Sequence, residues 1–493
     1  MNKLTIVVLL VISVVFTAYS QIITLDNTFG QNGKTIIPNT TEIYFFDFDI
    51  QGNIIAAGIA VNDGGKYNLT IAKTNADGII DESFGNGGLA KISGYDHSSP
   101  LGLSITDDNK IVVIGQFSKV QFQGYETLIV RLDENGMLDE HFGDSGRVNF
   151  AAAEDVVLLN CESNDFMLLG GVESERNEIG QNVYVTITGY YISKYNYHGN
   201  LDENFGDRGK AHLPNCLEPR AAKILRDGSI AVAGAYNSLS DHELGLCKLT
   251  PAGQLDTVFA NDGIWHWNTT PVFDLSYEGF YGILEDSSGD LILTGTGRHT
   301  NESGWRDTGF LSKFSAGGIP DSDFGENGFY WFDFLGISSK FFKVGENYVC
   351  VTTTAHGAFR MYYVNADGSF GNYLYTSSLN YLHDAKIQGS PNKILLAGAC
   401  RTSDANFALE RVTVDFDVSI PAIDFNSDEV KIFPNPAQDN LYFDQNTSYE
   451  IIDIQGKTLL KSETPVNFVP VVDLEVGIYF VRFGNSVHKF VKE

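Results

Sequence analysis

The sequence predicts an all-β protein: a seven-bladed β-propeller closed by an N-terminal strand, followed by a small Ig-like β-sandwich. Three observations lead there. A nine-residue phrase, Leu-Asp-x-x-Phe-Gly-x-x-Gly, recurs along most of the chain. A continuous apolar run ending in Gly or another small residue occurs seven times. The strand that one end of this array lacks is supplied at the other end, and no 3.6-residue helical period interrupts the pattern.

The phrase occupies 25–33, 80–88, 138–146 and 201–209, with weaker copies at 255–263 and 320–328. Its phenylalanines (Phe29, Phe84, Phe142, Phe205, Phe259, Phe324) are 55, 58, 63, 54 and 65 residues apart, a period that indicates repeated supersecondary units. The apolar runs lie at 54–58, 111–115, 166–170, 230–234, 291–295, 348–352 and 394–398. They do not alternate, as expected of strands buried on both faces. Each follows a turn such as Asp227-Gly228 and precedes a third strand ending in Lys73, Arg131, Lys194, Lys248 or Lys313. The phrase then leads into a fourth strand, giving four antiparallel strands per unit. The seventh unit stops after its third strand, 407–414, whereas a lone strand at 34–37 has no unit before it. Pairing the two would close the ring and cover an open edge; an open solenoid would not need it. In the sixth unit, Asp367-Gly368-Ser369-Phe370-Gly371 compresses the phrase and puts that outer hairpin in question.

Residues 1–20 read as a signal peptide. Lys3 supplies the positive start, 4–18 the apolar stretch, and Ala18-Tyr19-Ser20 a small-x-small cleavage site before Gln21. The apolar stretch is shorter than the roughly 20 residues that cross a bilayer, and no transmembrane span is expected. Formal charge is −29, or −30 once Lys3 is removed, which disfavours nucleic acid and anionic membranes as partners. Five scattered cysteines (Cys161, Cys216, Cys247, Cys350, Cys400) form neither a disulfide framework nor a zinc motif. Cys247 and Cys350 fall within apolar strands and read as core residues. The phrase aspartates (Asp81, Asp139, Asp202, Asp256, Asp321) read as Asx-turn acceptors, with calcium as the alternative; no cofactor is otherwise expected.

The repeat phrase resembles the delta-60 repeat of bacterial surface proteins, a family without assigned activity, over residues 21–415. A linker of different composition covers 416–429, and a compact β module covers 430–493. That module opens on Phe433-Pro434-Asn435-Pro436, carries Asp453 and Gly456, then Gly477, Tyr479 and Val481 on one strand, and closes on Lys489 and Lys492. It resembles the type A sorting domain of the type IX secretion system of Bacteroidetes, over 427–493. The resemblance implies recognition by an outer-membrane translocon, removal by a sortase-like peptidase, and a protein secreted or anchored at the outer cell surface. An ordinary Ig-like binding domain is the alternative.

For activity, the sequence points first to a binding protein presenting variable loops to a glycan or protein. The alternatives are a secreted hydrolase or lyase and a structural coat protein without a specific ligand. No compact catalytic motif is present, although propeller sites assemble from distant blades. Two local features stand out, His383-Asp384 and Trp265-His266-Trp267; the latter reads as an alternating outer strand. The segments after the second strands (61–68, 116–126, 171–186, 235–243, 296–308, 353–358, 401–406) vary most and read as loops on one rim. Among them 296–308 offers Arg298, His299, Trp305 and Arg306 as candidate ligand contacts, because Arg and Trp dominate binding hot spots. Carboxylates and a histidine converging at the channel would favour an enzyme, and a flat aromatic or featureless rim would favour binding.

Overall fold

The structure, a computed structural model, describes residues 23–61, 64–119, 125–150, 152–160, 164–179, 182–215, 217–237, 242–267, 279–301, 304–332, 337–353, 359–376, 381–390, 392–400, 406–414, 430, 432–433, 436–453, 457–474, 476–483 and 486–492. The segment 1–20, the cleavage site at Ser20 and Gln21, the linker 416–429, and Pro434, Asn435, Gly456, Cys161 and Cys216 lie outside the described residues. The chain divides into two compact units, Met1–Asp415 and Phe416–Glu493. Among the described residues, no helix is long and apolar enough to cross a membrane.

In the first unit the described strands form seven antiparallel sheets in chain order. The first sheet shows the pattern: Glu42–Phe48, Ile54–Val61, Tyr67–Thr74 and Leu89–Lys91, each strand paired with the next. Its second strand is buried at every position but the last, which explains the unbroken apolar run. The seventh sheet contains Tyr381–Ile387, Lys393–Cys400 and Asn406–Val414. Its fourth strand comes from the start of the chain: Lys34–Ile37 pairs with Asn406–Val414 in the register Lys34↔Glu410 to Ile37↔Phe407. Ile23–Leu25 pairs further along the same strand, with the first phrase between the two contacts. In the sixth sheet Phe370–Thr376 pairs with Phe359–Val364, so the outer hairpin forms without the full phrase.

The phrase is a scaffold device. In each copy the Asp N–H donates to the third strand's carbonyl, as Asp139 does to Arg131 and Asp202 to Lys194. The Asp carboxylate accepts the N–H two residues on, from Thr28, Ser83, His141, Asn204, Val258 and Asp323 in turn. These are the expected Asx turns. Several of the same carboxylates also meet the cation ending the third strand: Arg131–Asp139 at 3.0 Å, Lys194–Asp202 at 3.0 Å and Lys313–Asp321 at 2.8 Å. Each phrase then grips the next sheet. The N–H after Phe84 donates to Asn135 and the one after Phe142 to His198, both in the turn after the next third strand. Every phrase Phe is at most 2% exposed. Phe29 packs on the next turn at Gly78, where φ is +79° and a Cβ would lie 2.6 Å from the ring. Only glycine meets both demands.

In the second unit the long strand Asn440–Ile452 pairs with Ile432–Phe433, Thr458–Pro470 and Gly477–Phe483, and the last of these pairs with Ser486–Lys492. Leu441, Phe443, Ile451, Val481 and Phe490 form its buried centre. The opening and the close of the module meet where the Ala437 N–H donates to the Val491 carbonyl.

Two sequence expectations need correction. Segments 171–186 and 296–308 are not loops. Phe166–Ile179 pairs with Asn182–Tyr195 down to Ile179↔Asn182, and Leu291–Asn301 pairs with Gly304–Phe314 down to Asn301↔Gly304. Polar strands carried beyond the buried sheet lack the apolar pattern by which buried strands are recognised, while their β-branched and aromatic residues suit a hairpin.

Candidate functional site: a cavity framed by seven bulged strands

Every first strand of the seven sheets breaks register near its start. In five sheets one extra residue is inserted: Tyr44, Leu101, Arg220, Tyr281 and His383. The sixth sheet places Ser338 and Ser339 opposite one residue, and the third has a longer insertion between Ala152 and Val157. In the five, the bulge lies beside the glycine that ends the second strand's apolar run, such as Gly58, Gly234 and Gly398. The reason is steric. A Cβ on Gly234 would lie 2.0 Å from the Glu218 carbonyl oxygen, and one on Gly58 would lie 2.0 Å from that of Glu42. The glycine admits the displaced carbonyl, and the bulge re-aims the inserted side chain.

These strands surround one cavity of about 390 Å³, with lining residues from all seven sheets. Its volume falls within the roughly 300–1,000 Å³ of ligand pockets. Phe45, Leu101, Leu103, Leu158 and Ile283 give it apolar walls. Among the described residues, its charged lining consists of Arg220, Lys340, Lys386 and Asp384. Arg220 donates to the Tyr281 hydroxyl and lies 5.0 Å from that ring's centroid. Asp384 is 2% exposed. It accepts the N–H groups of Phe46 (3.1 Å) and Ala385 (2.9 Å) and pairs with Lys340 at 2.8 Å. Lys386 reaches Asp47 at 2.8 Å, a second tie between the seventh and first sheets.

Beside the cavity, His383 Nε2 lies 2.5 Å from Glu42, and the Tyr44 hydroxyl donates to the same carboxylate at 3.0 Å. The Tyr44 and His383 rings are 4.9 Å apart. The bond to His383 holds the Glu42 carboxyl below its ordinary range, against burial. Burial first, then Glu42, pushes the Tyr44 phenol up. A carboxylate that orients an imidazole is the arrangement of a general base, and Asp384 adds a second carboxylate nearby.

The other sequence candidates fall elsewhere. The hairpin sets Arg298 opposite Asp307, His299 opposite Arg306 and Thr300 opposite Trp305; the side chains of these candidates lie outside the described residues. Trp265, His266 and Trp267 sit on the outer strand Ile264–Trp267. Trp265 packs on Phe314 and Trp267 on Phe329, while His266 stacks on Tyr236 at 4.2 Å and meets Glu243 at 2.7 Å, as alternation requires. Cys247 and Cys350 are buried, and burial pushes the Cys350 thiol up. In the module, Gly477, Tyr479 and Val481 pair with Lys492, Phe490 and His488, and Phe480 pairs with Lys489. Pro436 is exposed, Phe433 lies opposite Tyr442, and the Asp453 carboxylate accepts the Lys457 N–H. Sequence reasoning missed Arg220, Tyr281 and Lys340. For Arg220 and Tyr281 the available signal was the glycine closing the facing apolar run, Gly234 and Gly295; the sixth run closes on Thr352 and gave none for Lys340.

Comparison with known proteins adds the following. Residues 431–493 match the family described as the secretion system C-terminal sorting domain. Residues 52–84 and 106–142 match the β-propeller domain of unknown function DUF5122, each stretch ending on a phrase Phe. No curated protein matches the chain. Similar solved structures include a polysaccharide lyase (10% identity, 81% of this chain and 95% of that chain, TM-score 0.44). A protein of unknown function from Dyadobacter fermentans shares 12% identity over 80% of this chain and 100% of that chain, with TM-score 0.39. The β-propeller domain of the Trilobed protease from Pyrococcus furiosus shares 10% over 75% and 95%, with TM-score 0.41. The chain carries β-propeller repeats and a C-terminal sorting domain of the type IX route, and is thereby a protein secreted to and attached at the outer cell surface.

Proposed function

We propose that this is a surface-displayed binding protein whose propeller holds an extracellular ligand in its central cavity. In this reading residues 1–20 are a signal peptide cleaved before Gln21. The ring has seven blades closed by Lys34–Ile37, and 416–429 link it to an Ig-like sorting sandwich that engages the secretion and sortase machinery. The observation that carries the proposal is the repeated bulge. Each of the seven first strands breaks register near its start, and of the five single inserted residues, Tyr44, Leu101, Arg220, Tyr281 and His383, three (Leu101, Arg220 and Tyr281) line the cavity. Bulges of this kind cluster next to functional sites. The hairpin residues Arg298, His299, Trp305 and Arg306 remain proposed as outer contacts for a ligand larger than the cavity.

Glycan-array binding by the mature chain tests this. Tyr281→Ala should weaken whatever binds; unaltered binding by that variant would move the site elsewhere, and a comparison with Trp305→Ala and Arg306→Ala tests the hairpin. The Glu42–His383 pair favours a second reading, a secreted hydrolase or lyase with His383 as base. Product formation from a bound glycan, lost in His383→Gln, would favour the enzyme; binding without turnover favours the first reading.

A further inference from the structure

We infer that the cavity selects an acidic saccharide, one bearing a carboxylate or a sulfate, with Arg220 as its anion partner; this rests on the cavity being the binding site. The charge balance of the lining points there. The chain has 62 acidic and 33 basic residues, yet among the described residues the cavity is lined by three cations and one carboxylate. The carboxylate is already committed: Asp384 is neutralised by Lys340 and accepts two backbone N–H groups. It braces the wall and offers a ligand no net charge. The two other lining cations also have carboxylate partners, and the longer pairing is that of Arg220, which makes it the cation most available to a ligand anion. Lys386 is shared with Asp47, outside the lining, whereas the carboxylate facing Arg220, Glu218, stands 3.8 Å away.

Arg220 is also pre-positioned. Its bulge sits at Gly234, and Gly279 leaves room beside it, since a Cβ there would lie 2.9 Å from the guanidinium. The Tyr281 hydroxyl accepts one of the five N–H donors that a guanidinium carries. A planar fork held in this way matches carboxylate and sulfate geometry. The class is a saccharide rather than a bare anion because the same space has aromatic and aliphatic walls: Phe45, Tyr281, Leu101 and Leu103. Sugar rings stack on such faces while their polar edges meet the fork. The negative exterior disfavours long polyanions, but at physiological salt it is screened beyond about 8 Å, so short acidic ligands reach the cavity.

The test uses the mature full-length chain at physiological salt with three short probes: an oligogalacturonate (carboxylate), a sulfated dextran oligomer (sulfate) and a neutral dextran oligomer. Calorimetry should show one acidic probe binding, the neutral probe weaker by about tenfold or more, and Arg220→Ala losing about tenfold or more. Arg208→Ala, at a side chain 87% exposed on the outer phrase, should change binding by less than about twofold. If Arg220→Ala does not fold, Arg220→Lys keeps the charge without the fork and should still lose affinity. Whether the oligogalacturonate or the sulfated probe binds tighter identifies the anion. Equal effects of Arg220→Ala and Arg208→Ala overturn the inference, as does equal binding of neutral and acidic probes. In the latter case, weakening by Tyr281→Ala would keep the cavity as the binding site and reject only the acidic class; no effect of Tyr281→Ala would reject both.

Discussion

Asp26→Asn tests how the start of the chain is held to its seventh sheet. Asp26 is 9% exposed and Arg411 4%. One carboxylate oxygen accepts from Arg411 Nε at 2.8 Å and lies 3.3 Å from Lys393; the other accepts the Thr28 N–H at 3.0 Å and hydroxyl at 2.5 Å. Burial pushes this carboxyl up, but Thr28, Arg411 and Lys393 together outweigh it and hold it at about 2, from an ordinary 3.8. At about 1.36 kcal/mol per pH unit, that difference corresponds to roughly 2.4 kcal/mol. The folded-state value is depressed, so this stabilisation is complete above about pH 4 and is lost as pH falls through about 2. Asparagine keeps an acceptor for Thr28 but loses the charge, leaving Arg411 buried beside a neutral group. We expect a loss of about 2 kcal/mol at pH 7. Urea unfolding of the mature chain, wild type against Asp26→Asn, measures it at pH 7, 5, 4 and 3. The gap should narrow below pH 4. A variant as stable as wild type at pH 7, or a gap constant down to pH 3, would refute the reasoning.

Deleting residues 21–38 should expose the edge of Asn406–Val414, lower the melting temperature and promote aggregation; unchanged melting would count against ring closure. Gly234→Ala forces a Cβ onto the Glu218 carbonyl and should cost about 1–3 kcal/mol in thermal or urea unfolding, and wild-type stability would reject the steric account of the bulge. Removing residues 427–493 should leave the propeller folded but retained in the periplasm, as read by cell fractionation; normal surface delivery would show that the module is not the address. Mass spectrometry of the exported protein should place the N-terminus at Gln21, and a chain beginning at Met1 would rule out cleavage there.

The sequence by itself determined the features that depend on local repetition. The phrase copies from Phe29 to Phe324, the seven apolar runs and the sorting module are legible because each is a short pattern whose physical cause lies within it. An Asx turn needs its Asp two residues before the N–H it caps, and a strand buried on both faces needs an unbroken apolar run. His383-Asp384 was visible too, as an isolated oddity. Tertiary structure alone decided what that oddity is part of. Glu42 and His383 are 341 residues apart and meet because the first and seventh sheets are neighbours. Arg220, Tyr281 and Lys340 share a cavity because each sits just past, or within, the bulge of a different sheet. A bulge is a property of register between two strands, and one strand's sequence does not contain it. What the sequence held, for Arg220 and Tyr281, was the partner's half of the event: a glycine closing the apolar run (Gly234, Gly295), where any Cβ would meet the displaced carbonyl.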